Sequence, residues 1–148
     1  MPSIRLATSA DVDSLVPLVD GYRQFYRQPS DPEGARRFLA QRFEREDAYL
    51  LVALDDAGAP IGFVQLFPVP STTSLGFRWI LNDLFVVHAA RRSGAGSALL
   101  QAARDLAAEH DVPQLMLRTQ IDNVAAQSRY QALDWQRDES FYTYLLNV

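Results

Sequence analysis

The stretch Leu84-Phe85-Val86-Val87-His88-Ala89-Ala90-Arg91-Arg92-Ser93-Gly94-Ala95-Gly96-Ser97-Ala98-Leu99-Leu100 decides how this chain is read. It runs from an apolar strand through a basic, glycine-bearing turn into the first turns of an amphipathic helix. That order builds an anion site from backbone. Gly94 and Gly96 carry no Cβ, so an anion can approach their N–H groups closely. A helix starting near Gly94 adds four N–H donors without internal partners, at the positive end of its dipole. Arg91 and Arg92 bring further positive charge. The dipole itself contributes only about 0.3–1 kcal/mol, or ~2 kcal/mol when partly buried. Firm binding therefore calls for several N–H bonds to a multiply charged group such as a pyrophosphate. A Walker loop needs Lys where Ser97 stands, and a dinucleotide fingerprint needs a third Gly where Leu99 stands. The pattern Q/R-x-x-G-x-G/A is met in full by Arg91-Arg92-Ser93-Gly94-Ala95-Gly96. On these six positions alone, a plain strand-to-helix turn with solvated arginines fits as well.

The rest of the composition narrows the choice. The chain has 148 residues, 48% of them apolar and 22% charged, which suits one folded domain over 1–148. Its net charge of -4 and the lack of a basic tract argue against a nucleic-acid surface. A mildly acidic face suits a cationic or amine partner. There is no Cys, which excludes disulfides, thiolate catalysis and cysteine metal sites, and His88 and His110 are the only imidazoles. No metal site is expected. The N-terminus lacks the apolar core of a signal peptide, and no apolar run approaches ~18 residues. A cytoplasmic protein without membrane contact is the expectation. All 14 basic residues are Arg.

Outward from the glycine turn, periodicity gives an alternating first strand at 3–7 and a helix carrying Val12, Leu15, Val16, Leu18 and Val19. The aromatic stretch 21–29 reads as a helix end and loop, and Pro32 opens a second helix. Strands follow at 49–54 and 61–68 across the Asp55–Pro60 turn, then at 78–87. The long helix spans about 94–110. A strand over 113–119, a helix over 123–133 and a closing hairpin of 135–137 with 141–146 complete the chain. The order is β-α-α-β-β-β-α-β-α-β-β. This is an α/β (α+β) fold, a mixed and mostly antiparallel sheet of about seven strands flanked by about four helices. Only one β-α-β crossover is present, so a Rossmann sheet is not expected.

The glycine turn resembles the CoA-pyrophosphate loop of the GNAT superfamily of acetyl-CoA-dependent N-acetyltransferases, and the element order matches that fold from first strand to last. A second segment, Asn123-Val124-Ala125-Ala126-Gln127-Ser128-Arg129-Tyr130-Gln131-Ala132-Leu133-Asp134-Trp135, resembles the family pattern N-x-x-A-x-x-x-Y-x-x-x-G-F. Asn123, Ala126 and Tyr130 match. Trp135 replaces Phe, and Asp134 replaces Gly at a helix end where left-handed geometry is expected.

The resemblance implies acetyl-CoA as cosubstrate. Its pyrophosphate would lie on Arg91, Arg92, Ser93, Gly94, Ala95, Gly96 and Ser97. Its pantetheine arm would pair with the backbone of Phe85, Val86 and Val87, where two neighbouring strands splay, with Asn123 nearby. Tyr130 would protonate the leaving thiolate. Direct attack by an amine requires no protein nucleophile, in keeping with a Cys-free chain. Many relatives carry Glu-Asp ahead of the apolar run, where this chain has Asn82-Asp83. Asn82 cannot take a proton, which leaves Asp83 as the carboxylate. Strand alternation places the two on opposite faces, so Asp83 reads either as base or as a partner steadying a bulge. The resemblance implies acceptor binding by Tyr22, Phe25, Tyr26 and Arg27, and by Glu139, Phe141 and Tyr142 in the later region, while the aromatic residues read equally as packing of that helix on the sheet. The acceptor would be a small-molecule, polyamine, peptide or protein amine, and the resemblance is compatible with a homodimer. A CoA-binding sensor without turnover is the rival reading, and Asn82 is its main support.

Overall fold

Val12, Leu15, Val16 and Val19 recur at helical spacing and form the inner stripe of α1 (Val12–Phe25). The computed structural model describes residues 1–148, which divide into two compact units, Met1–Arg118 and Thr119–Val148. The first unit holds β1 (Ser3–Leu6), α1, α2 (Pro32–Arg45), β2 (Tyr49–Leu54), β3 (Pro60–Ser71), β4 (Gly76–Val86), α3 (Ala95–Glu109) and β5 (Leu115–Met116). The second holds α4 (Val124–Ala132).

The five strands lie in the order β1-β2-β3-β4-β5. All neighbours are antiparallel except β4 and β5, which the crossover through α3 makes parallel. Helices α1 and α2 bury Leu15, Leu18, Ala35 and Leu39 with Leu50, Val52 and Phe63 of the sheet. Helix α3 buries Leu99, Leu100, Ala103 and Leu106 and touches β1, β2, β3 and β4. At its C-terminus His110 bonds through Nδ1 to the Leu106 carbonyl at 2.9 Å and packs on Tyr49 and Trp79. No helix is long and apolar enough to cross a membrane.

Three helices stop in the same way. After α1, Arg27 takes φ 62°, with Gln28 N–H donating to the Arg23 carbonyl and Arg27 N–H to that of Gln24. Asp111 does the same after α3 (φ 56°) and Asp134 after α4 (φ 67°). At α4 the closing bonds are Trp135 N–H to the Tyr130 carbonyl at 2.9 Å and Asp134 N–H to that of Gln131 at 3.2 Å. This double closure satisfies the last carbonyls whether or not glycine occupies the left-handed position. The left-handed geometry expected at Asp134 is therefore present.

Residues 21–25 end α1, where Tyr22 packs its ring on Phe63 and Phe85, and 26–29 leave the helix, as expected. Two expectations need correction. The strand read over 113–119 pairs with β4 only at Leu115–Met116, with the Trp79 N–H donating to the Gln114 carbonyl at 3.3 Å just before it. The closing hairpin is absent, so the sheet has five strands instead of about seven. Its turn did form, since Asp138 Oδ1 accepts the Ser140 N–H at 2.8 Å. A two-stranded ribbon with a three-residue arm has too few ladder bonds to stand alone, and Phe141, Tyr142, Tyr144, Leu145 and Leu146 are exposed.

Candidate active site

The site begins with an irregularity in the β3–β4 ladder. Gln65 pairs with Asp83, but Leu66 pairs with Leu81, so Asn82 is an extra residue on β4. A bulge of this kind leaves two residues of one strand opposite one of the other and re-aims their side chains. Asn82 and Asp83 accordingly line the same cavity. Alternation had placed them on opposite faces, and the bulge is what overturns that expectation.

The cavity has a volume of about 340 Å³ and lies between α1, α2 and the β3–β4 pair. Its walls are apolar, from Tyr22, Ala35, Phe38, Leu39 and Phe63 among others, and Gln65, Asn82 and Asp83 supply polar groups. Asp83 is held from two sides: Gln65 Nε2 donates to Oδ2 at 3.0 Å and Asn82 Nδ2 to Oδ1 at 3.1 Å. The Tyr22 hydroxyl lies 3.5 Å from the Asn82 carbonyl oxygen.

The α2 wall is fixed by a carboxylate on α1. Asp20, 8% exposed, accepts the Asp31 N–H at 2.7 Å, the Ser30 hydroxyl at 2.7 Å and the Gln24 amide at 3.0 Å. The Asp31 N–H, then the Ser30 hydroxyl and Gln24, hold its carboxyl below the usual carboxylate range. Asp31 in turn caps α2 by accepting the Gly34 N–H at 2.9 Å, and Pro32 stands at the first helical position.

Strand β4 has an open edge and an anion-ready end. Its pairing with β5 covers only Trp79 and Ile80, while the strand runs on to Val86. Val87 N–H donates to the Ile61 carbonyl at 2.9 Å and is committed to β3. Beyond it Arg92 (φ 68°) and Gly94 (φ 86°) are left-handed, and Gly94 caps α3. A non-glycine residue in that region is costly, so the turn's shape is held by its surroundings. A Cβ on Gly94 would meet nothing within 4 Å. Ser93 Oγ accepts the Ala95 N–H at 3.3 Å, while the Gly96 and Ser97 amides lie in the first helical turn, where no carbonyl one turn below can reach them. Glycine turn, left-handed backbone and free helix amides fit a pyrophosphate. The Arg91 side chain turns back, with Nε on the Val86 carbonyl at 3.3 Å and the guanidinium 5.5 Å from the Phe25 ring centroid.

The profile of the acetyltransferase (GNAT) family matches residues 15–135. The chain belongs to the GNAT acetyltransferase family. It is 43% identical over 146 residues to the "Uncharacterized N-acetyltransferase YhfO" of Bacillus subtilis (strain 168), covering 99% of this chain and 97% of that one. It is 36% identical over 95 residues to a "Probable acetyltransferase" of Haemophilus influenzae (strain ATCC 51907 / DSM 11121 / KW20 / Rd), covering 64% and 65%. The crystal structure of a probable acetyltransferase superposes with a TM-score of 0.92 at 37% identity, covering 99% of this chain and 97% of that one.

Within this acetyltransferase the first unit gathers Tyr22, Asn82 and Asp83 at one cavity, while Phe25 and Tyr26 lie outside its lining. Those two pack edge-on to each other with centroids 5.3 Å apart. In the second unit Asn123 caps α4, its Oδ1 accepting the Ala126 N–H at 3.3 Å, and the Tyr130 ring packs 6.0 Å from that of Trp135. No group of three or more His, Cys, Asp or Glu side chains is placed to share a metal ion. Sequence reasoning missed Gln65, Asp31 and Phe38. Gln65 had a signal, as the lone polar residue inside the run Phe63-Val64-Gln65-Leu66-Phe67.

Proposed function

We propose that this enzyme transfers an acetyl group from acetyl-CoA to a primary amine seated in the α1–α2–β4 cavity. The observation that carries the reading is the bulge at Asn82, which turns a fixed carboxylate toward an apolar cavity beside the open edge of β4. Acetyl-CoA supplies the thioester whose carbonyl the amine attacks. The Arg91–Ser97 turn holds its pyrophosphate through backbone amides, and Phe85–Val87 lie along its arm. An alkylammonium costs about 4–5 kcal/mol to deprotonate at neutral pH. The apolar walls offset that cost by disfavouring the charged form, and Asp83 takes the proton that the ammonium gives up. Asn82 orients the amine. Tyr130, matched to the family pattern, returns a proton to the leaving thiolate, with Asn123 heading the same helix. The family profile, over residues 15–135, reaches both units, which supports reading 1–148 as one domain, and we place it in the cytoplasm. The exposed apolar residues at 141–146 support a homodimer.

Two measurements test this reading. Acetyl-CoA at a hundredfold excess over its Kd should stabilise the protein by about 2.7 kcal/mol, and a Gly94→Ala/Gly96→Ala variant should lose that gain. Thiol release with an amine panel should fall about a hundredfold in Asp83→Ala and in Tyr130→Phe. Absence of both the stabilisation and the thiol release would overturn the proposal.

A further inference from the structure

Three charged side chains line the α1–α2–β4 cavity: Asp83, Asp31 and Arg23. Only Asp83 has a task in the transfer. Val19, Tyr22 and Arg23 share one stripe of α1, since residues three and four apart on a helix are neighbours, and all three line the cavity. Asp31 caps α2, and its carboxyl group lies over Gly34, another lining residue: a Cβ there would stand 2.7 Å from Asp31 Cγ. Arg23 and Asp31 thus flank the loop that joins α1 to α2, whereas Asp83 stands on β4.

Neither of these two charges is spent. Arg23 and Asp31 form no ion pair with each other. Arg23 gives one N–H to the Pro29 carbonyl at 2.8 Å, and a guanidinium carries about five. It comes last among the causes that hold the Asp20 carboxyl down, behind the hydrogen bonds from Asp31, Ser30 and Gln24. Asp31 Oδ1 accepts the Gly34 N–H at 2.9 Å, which leaves Oδ2 to accept from a ligand. Asp20 fixes the loop between them by accepting the Ser30 hydroxyl and the Asp31 N–H at 2.7 Å each. A cation and an anion set on one short loop without pairing suit a ligand that carries both signs. A carboxylate matches the guanidinium fork, and an ammonium matches the aspartate.

We propose that the acceptor is a free α-amino acid with a second amine on its side chain. Arg23 holds its α-carboxylate, Asp31 holds its α-ammonium, and the side-chain amine lies at Asp83. The cavity offers one cation and two anions, and such a molecule offers two cations and one anion. In the transfer the amide C–N bond forms at the side-chain nitrogen and the thioester C–S bond breaks. Of the two protons the ammonium loses, one ends on the CoA thiol and the other in solvent. This deepens the acetyltransferase reading and rests on the cavity being its acceptor site. A volume of about 340 Å³ suits a small ligand, and a lysine within a peptide chain lacks both of the charges that Arg23 and Asp31 would hold.

The experiment titrates the full chain calorimetrically, with and without CoA, and measures thiol release from acetyl-CoA in parallel. The parent ligands are L-lysine and L-ornithine. Cadaverine and putrescine lack the carboxylate, 6-aminohexanoate and 5-aminopentanoate lack the α-ammonium, and Nα-acetyl-lysine N-methylamide lacks both charges. A parent should bind about fivefold more tightly than each analogue missing one charge. Asp31→Asn keeps the helix cap, because an Asn oxygen also accepts the Gly34 N–H. It should weaken the parent about fivefold and leave the analogue without the α-ammonium unchanged. Arg23→Gln should do the same for the parent against the analogue without the carboxylate. Equal or tighter binding of any analogue than its parent overturns the inference, as does no binding of either parent under both conditions. So does an equal loss for parent and analogue in Asp31→Asn, which would mark a merely structural residue. Should Arg23→Gln not fold, the ligand comparisons and Asp31→Asn decide. Selective binding of a parent without thiol release would sink the acetyltransferase reading and leave this inference standing. Thiol release with the diamines or the blocked lysine alone would do the reverse.

Discussion

Asp11 shows how a single side chain couples local structure to pH. The Arg5 guanidinium meets its two oxygens at 2.8 Å each, and Asp11 also accepts the Thr8 N–H at 2.8 Å. The Arg5 bond, ahead of the Thr8 N–H, holds the carboxyl down from its ordinary 3.8 to about 2. A carboxylate with a lowered folded value contributes stability above its unfolded value and loses it as pH falls through the folded one. The contribution is thus present above pH 3.8 and fades toward about 2. The Arg5 side chain is half exposed, so solvent screens the pair and keeps its contribution small. Asp11→Asn should remove that small loss from urea-unfolding titrations over that range and leave steeper losses from other groups in place. Individual residues differed in how much of their role the sequence carried. Asp83 was readable as a carboxylate ahead of an apolar strand, since residue type alone fixes what can take a proton. The face it presents was not, because a one-residue slip in strand pairing leaves no mark in composition.

At the scale of elements, the clearest local constraint is Gly62 on β3. A Cβ there would stand 2.8 Å from the Phe85 carbonyl oxygen, 3.2 Å from Val86 Cγ2 and 3.3 Å from Leu99 Cδ1. The nearest of these is backbone and cannot swing away, so Gly62→Ala should destabilise by about 1–3 kcal/mol in chemical denaturation. It should also disturb β4 next to the glycine turn. Long elements were legible because their periodicity repeats several times: α3 was expected at 94–110 and is found at Ala95–Glu109, and β4 was expected at 78–87 and is found at Gly76–Val86. The short ones failed for the converse reason. Two or three alternating residues at 135–137 fix neither a period nor a partner, and whether they pair depends on an edge that local sequence does not describe. The helix ends lay between these cases. Asp134 signalled left-handed geometry by standing where glycine is usual, whereas Arg27 and Asp111 gave no comparable sign.

For the molecule as a whole, the shape of the cavity depends on a contact remote from Asn82 and Asp83. Asp20 ties the end of α1 to the start of α2 through Ser30 and Asp31 and thereby sets the distance between two walls of the cavity. Asp20→Ala should raise KM for the amine roughly tenfold, with kcat and the acetyl-CoA Kd much less changed. Steady-state kinetics with each substrate varied in turn checks this. Nothing in the sequence marked Asp20 for that task, because its partners lie across a loop whose path had to be known first. The slip in β4 has a further consequence for how this protein can change over evolutionary time. Leu81 faces Leu66 and Asp83 faces Gln65, so a gene lacking the Asn82 codon would encode strands in an unbroken ladder, with every flanking pair retained. Such a deletion should fold, with a melting temperature equal to or above that of the parent, yet turn over no amine. The residue that interrupts the β3–β4 ladder is then one the ladder itself can lose, and selection for turnover would keep it there.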